Sequence, residues 1–130
     1  IGIKKNGYTY AKKISEYLKS ISKIQINLIS IEFNKKNPLK GYSSSNKLKQ
    51  VKNKSVVLID DVLDSGKTLI YGVKFLLEFP VKKLKTAVLV NRNHKDYPVK
   101  ADFKGISLST SLNEIISVEL NNKDEGVYLS

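Results

Sequence analysis

The sequence predicts an α/β domain built on a mostly parallel sheet with helices on both faces. Three observations predict it. Amphipathic helical periodicity alternates along the chain with short β-branched runs. The run Val56-Val57-Leu58-Ile59 is apolar without a break, as in a strand covered on both faces. The length of 130 residues suits one core and not two, so residues 1–130 are read as a single domain.

Taken in order, Tyr10, Ala11, Ile14, Tyr17, Leu18 and Ile21 recur at three- and four-residue steps and predict a helix near 8–22. Ile24, Ile26, Leu28, Ile29, Ile31 and Phe33 mostly alternate, which predicts a strand ending near residue 33. Residues 34–54, with Pro38, Gly41 and Ser43-Ser44-Ser45, keep no period and read as a long flexible loop within the domain. A strand follows at 56–59, and Thr68, Leu69, Val73, Leu76 and Leu77 then give a second helix, stopped by Pro80. Leu84 to Val90 is another buried strand, and shorter strands are expected near 102–107, 115–120 and 127–129. Ligands of such sheets sit at the carboxyl ends of the strands. That rule points to Lys4–Gly7, Asp60–Thr68 and Asn91–Asp96.

Composition narrows the functional classes. With no cysteine there is no disulfide framework and no thiolate chemistry. No apolar run approaches a membrane span, and a cytoplasmic protein that does not enter the membrane is the expectation. The chain opens Ile1-Gly2-Ile3 and holds no methionine, so further residues are expected to precede it. The net charge of +11 is unevenly placed: residues 1–55 hold thirteen lysines against Glu16 and Glu32, and the remainder balances. Lys35, Lys36, Lys40, Lys47, Lys49, Lys52 and Lys54 form a field suited to phosphate groups. Coding-sequence bias toward lysine explains the same run equally well.

The chemistry concentrates in residues 56–68, Val-Val-Leu-Ile-Asp-Asp-Val-Leu-Asp-Ser-Gly-Lys-Thr. A buried strand delivers Asp60 and Asp61 to the sheet edge, where adjacent carboxylates accept hydrogen bonds from vicinal hydroxyls or approach a cation. The turn Asp64-Ser65-Gly66-Lys67-Thr68 opens a helix, whose free N–H groups and dipole, with the Ser65 and Thr68 hydroxyls, suit a phosphate. Carboxylates for sugar hydroxyls beside a phosphate nest describe a phosphoribosyl site. Gly66-Lys67-Thr68 is not a nucleotide P-loop, because that motif needs glycine where Asp61 stands. Helix caps and a turn glycine would account for Asp64, Ser65 and Gly66 alone, but not for the acid pair beside them.

These thirteen residues resemble the ribose-phosphate signature of the type I phosphoribosyltransferases. Ile1 to Gly7, Ala11-Lys12-Lys13, Ala87 to His94, Pro98 to Gly105 and Ser109-Thr110-Ser111 are similar to the branch of bacterial pyrimidine-operon attenuators that double as uracil phosphoribosyltransferases. The resemblance implies the type I phosphoribosyltransferase fold, with a mobile loop, and transfer of phosphoribosyl from its pyrophosphate to a nucleobase. It implies catalytic roles for Asp60, Asp61 and Asp64, with magnesium at Asp60 and Asp61. Phosphate falls to Asp64, Ser65, Gly66, Lys67 and Thr68, pyrophosphate to Lys4, Lys5, Asn6 and Gly7, and the base to Asn91 and Arg92. A homodimer is expected from the same likeness.

Departures from that pattern bear on the acceptor. Asn6 stands where the attenuator branch has arginine, and Asp64 is an acid as in purine-salvage relatives. Asn91 matches neither branch, so uracil leads hypoxanthine and guanine only slightly. The alternative is an RNA-binding regulator that keeps the nucleotide site as a sensor, its basic first half meeting RNA phosphates. His94, the single histidine, reads as a hydrogen-bonded loop residue, and Arg92, the single arginine, as a base or phosphate contact or a salt-bridge partner.

Overall fold

In the computed structural model, the apolar run at 56–59 lies within a strand of nine residues, Ser55–Leu63. Residues 1–34, 36–37, 39, 41–42, 46–121 and 123–130 are described. Among them the order is β1 (Gly2–Ile3), α1 (Asn6–Ile21), β2 (Ser30–Phe33), β3 (Gly41–Tyr42), a 3-10 helix (Asn46–Val51), β4 (Ser55–Leu63), α2 (Lys67–Leu76), β5 (Lys83–Asn91), β6 (Phe103–Ser107), β7 (Ile116–Glu119) and β8 (Gly126–Leu129).

The main sheet runs β3-β2-β1-β4-β5-β6. Its last five strands pair in parallel, and β3 joins β2 antiparallel. Leu58 and Ile59 are neighbours in β4 and so point to opposite faces. Leu58 is fully buried against Gly72 of α2, close enough that a Cβ on the glycine would stand 2.8 Å from its Cδ2. Ile59 packs with Ala87 against Ala11 of α1. The two helices therefore cover opposite faces, as the sequence predicts. The larger core lies on the α2 side, around Ile3, Ile31, Leu58, Leu69, Leu76 and Val88.

Several expectations are corrected. The strand predicted from residue 24 pairs only over Ser30–Phe33, and Ile24 is left exposed because its alternation has no neighbouring strand to meet. The run 56–59 is not covered throughout: Val57 is 38% exposed and lines an apolar cavity of about 770 Å³. That cavity lies between α1, residues 24–29 and the amino-terminal halves of β4 and β6. The strand does not stop before the acids, because β4 stays paired with β5 as far as Leu63 opposite Asn91, so Asp60 and Asp61 are strand residues. Asn6 and Gly7 belong to the first turn of α1 rather than to a loop. Strands β7 and β8 form a separate antiparallel ribbon outside the sheet.

The aperiodic stretch 34–54 is not structureless where it is described. It carries β3 and the 3-10 helix, and Leu48 and Val51 are buried in the core. Lys35, Pro38, Lys40 and the Ser43-Ser44-Ser45 run lie outside the described residues, so the reading of this stretch as a flexible loop rests partly on them. Among the described residues no helix is long and apolar enough to cross a membrane.

Candidate functional site

Three chain segments converge where β1, β4 and β5 end. The first turn of α1 lies directly on the acid pair: a Cβ on Gly7 would stand 2.8 Å from the Ile59 carbonyl and 3.0 Å from Asp60 Oδ1. Only glycine fits there. Beside it Asn6 donates from Nδ2 to Asp61 Oδ2 at 3.1 Å and to the Val118 carbonyl of β7 at 3.0 Å. The segment predicted to hold pyrophosphate thus touches the predicted ribose acids and the β7–β8 ribbon. Lys4 and Lys5 are exposed beside them.

The acid pair is electrostatically costly. Burial pushes the Asp60 carboxyl well above the usual carboxylate range, and the charge of Asp61 raises it further. The Asp61 amide donates to Asp60 Oδ1 and the Val62 amide to Asp61 Oδ1, both at 2.9 Å. A carboxylate perturbed by burial and a like-charged neighbour in a cleft is a functional-site candidate.

Immediately downstream, residues 64–68 bend around a small cavity of about 60 Å³, lined by Asp60, Asp64, Ser65, Gly66, Lys67 and Thr68. That exceeds the ~10–15 Å³ a single water needs. Gly66 makes the bend with φ of +85°, a left-handed conformation that side chains resist, and a Cβ there would stand 2.7 Å from Val99 Cγ1. The Lys67 amide donates to Ser65 Oγ at 3.2 Å, and the Ser65 carbonyl accepts from the amides of Asp96 and Tyr97. Helix α2 begins at Lys67, so its positive end faces this cavity. The larger cavity, lined mainly by apolar side chains, holds no acid and no helix start, and the small one is the candidate site.

Residues at the end of β5 take unequal parts. Asn91 is buried; its Nδ2 donates to Asn93 Oδ1 at 3.2 Å and its Oδ1 has no hydrogen-bond partner. Arg92 reaches three groups: Asp64 Oδ1 at 3.2 Å, Thr110 Oγ1 at 2.7 Å and the Ser111 carbonyl at 3.0 Å. The Asp64 carboxylate is therefore engaged with Arg92. His94 Nε2 lies 2.6 Å from the Thr110 carbonyl, a hydrogen-bonded loop residue as expected. Thr110, Ser111 and Val118 received no role from sequence reasoning. The single arginine was the available signal, since a guanidinium needs several acceptors.

The chain is similar to known proteins over nearly its whole length. The chain is 33% identical over 132 residues to the "Bifunctional protein PyrR" of Clostridium kluyveri, covering 96% of this chain and 75% of the relative. It is 33% identical over 134 residues to the protein of the same name from Clostridium botulinum strain Eklund 17B, covering 95% and 73%. The structure of the hypoxanthine phosphoribosyltransferase of Trypanosoma cruzi superposes with a TM-score of 0.77 at 16% identity, covering 95% of this chain and 67% of that one. That likeness concerns the fold. The phosphoribosyl transferase domain family matches residues 1–123, a span that contains the acid pair, the glycine bend and the α1 turn, and this chain belongs to that family.

Proposed function

We propose that the protein transfers a phosphoribosyl group from phosphoribosyl pyrophosphate to a nucleobase. The observation that carries this reading is one strand-turn-helix that sets two carboxylates beside a polar cavity at a helix start, with the first turn of α1 against the carboxylates. Asp60 and Asp61 hold the ribose hydroxyls. Residues 64–68 take the 5′-phosphate on backbone amides and the Ser65 and Thr68 hydroxyls, and Lys4, Lys5, Asn6 and Gly7 take the pyrophosphate. Asn91, whose buried Oδ1 has no hydrogen-bond partner, is assigned to the base.

The acid pair suits magnesium, which is bound by one or two carboxylates and completed by waters and substrate phosphates. Among the described residues no cluster of three or more histidine, cysteine or acidic side chains could hold a metal. Bound there, the cation would neutralise charge on the departing pyrophosphate. Asp60 and Asp61 also present negative charge to a sugar ring that becomes positive as the bond to pyrophosphate breaks.

Uracil is the first acceptor to test, on the resemblance of the flanking segments; hypoxanthine and guanine compete because Asp64 is an acid. Pyrophosphate release should be measured with donor, magnesium and each of uracil, hypoxanthine, guanine, xanthine and adenine. Release with one base supports the reading. Asp61→Asn and Thr68→Ala should each lower donor affinity at least ~10-fold, the loss of one charge-assisted hydrogen bond. Unchanged affinity in calorimetry would remove the site assignment.

A second reading, an RNA-binding regulator that senses nucleotide, is favoured by one observation: Asn6 stands at the pyrophosphate position with its amide already committed to Asp61 and Val118. It expects no turnover and RNA binding that is sequence-selective and nucleotide-dependent. Binding lost at modest salt for every RNA alike would defeat it.

A further inference from the structure

Twenty-two of the twenty-three basic side chains are lysine, and the one arginine occupies a position that only a planar fork can serve. Arg92 follows β5 directly, and its amide donates to the Leu63 carbonyl at 2.9 Å. Its side chain is 11% exposed, while that of Asp64 is 54% exposed. Three different guanidinium nitrogens reach three acceptors on two separate loops. Nη1 reaches Asp64 at the start of the phosphate-cavity turn; Nε and Nη2 reach Thr110 and Ser111 beyond β6. His94 holds the same Thr110 through its carbonyl. A lysine ammonium, compact and strongly hydrated, cannot make those three bonds at once.

We propose that Arg92 is a positioning residue and not a reader of the base: it fixes the phosphate-end turn relative to the turn at Thr110 and Ser111, and so sets the distance a nucleotide must span. The inference rests on the function proposed above. Arg92 directly follows Asn91, the residue assigned to the base, so its bond to Asp64 ties the phosphate-end turn to the base end of the site, and its bonds to Thr110 and Ser111 hold the guanidinium in that position. A ligand that occupies the phosphate end alone does not need that tie. A nucleoside monophosphate, with phosphate at one end and base at the other, does.

The test compares calorimetric affinities for ribose 5-phosphate with those for uridine and inosine 5′-monophosphates in the wild type, Arg92→Gln, Arg92→Lys and Thr110→Val. Arg92→Gln and Arg92→Lys should both weaken monophosphate binding by about ten-fold, while ribose 5-phosphate changes by less than about two-fold. Thr110→Val keeps the arginine and its ion pair and should show a smaller loss of about three-fold on the monophosphates alone. It supplies the test if the arginine variants fail to fold. Equal loss on ribose 5-phosphate, or full affinity in Arg92→Lys, overturns the proposal, because either makes Arg92 a general support or a point charge. If the wild type binds neither class of ligand, the nucleotide reading itself falls and the latch with it; wild-type binding that Arg92→Gln leaves intact overturns the latch alone.

Discussion

Asp60 of β4 and Asp102, just before β6, lie only two residue levels apart across the same sheet, Asp60 level with Val88 and Lys104, yet their surroundings act on them in opposite ways. Asp60 lies near the carboxyl end of β4, where burial and Asp61 raise its proton affinity. Asp102 precedes β6, and its carboxylate accepts from the Thr86 amide at 2.8 Å, with Lys85 nearby; these hold its carboxyl below the usual range. One acid is satisfied and clasps β5 to the start of β6. The other is held where its charge is unfavourable. The contrast teaches that the β5–β6 edge is organised for stability and the acid pair of β4 for a ligand that supplies what the protein withholds.

Two glycines break the comparison most severely. A methyl group on Gly7 would meet the Ile59 carbonyl at 2.8 Å and the Asp60 Cα at 2.9 Å; one on Gly105 would meet the Leu89 carbonyl at 2.6 Å. Each neighbour is backbone and cannot swing away. Gly7→Ala and Gly105→Ala should each cost ~1–3 kcal/mol of stability in denaturant titrations, as overpacking does. Only Gly7→Ala should also abolish donor binding, since it displaces the acid pair, whereas Gly105 meets Leu89 on the far side of β5; equal affinities in the two variants would show that the acid pair is not the site.

The acids themselves give a smaller effect with opposite signs. Because folded Asp60 holds its proton more tightly than the unfolded chain does, its contribution is full below the ordinary carboxylate pKa and is lost as pH rises through the raised value. Folded Asp102 holds its proton less tightly, so its contribution is present above the ordinary value and is lost as pH falls through the lowered one. In metal-free protein at neutral pH, Asp60→Asn should raise the melting temperature and Asp102→Asn should lower it. Shifts of the same sign would end the contrast. The least effect belongs to Val57, whose exposed side chain floors the apolar cavity. Val57→Thr should stay within about 0.5 kcal/mol of wild type by chemical denaturation, as for other surface changes.

Much of the site was legible because its chemistry is local. Asp60, Asp61 and residues 64–68 are contiguous, and a buried strand followed by a helix start fixes their relation within one short segment. The helices were legible for a similar reason: Ala11 and Ile14, or Leu69 and Leu76, report a buried face by their spacing alone. The strand over residues 24–29 was misread because alternation marks a half-buried surface and says nothing of whether a partner strand lies alongside. Leu48 and Val51 were passed over inside an aperiodic stretch, since two isolated apolar residues carry no period.

By itself, then, the sequence determined the alternation of helices and strands, the acid pair and the glycine bend, all of which depend on short-range spacing and backbone conformation. Only the tertiary structure decided that Asn6 lies on Asp61 and Val118, that Arg92 joins Asp64 to Thr110 and Ser111, and that one end of the sheet is left apolar and open. Those contacts join residues far apart in the chain. Which of many possible acceptors a side chain finds is set by the packing of whole elements, and no local pattern encodes it.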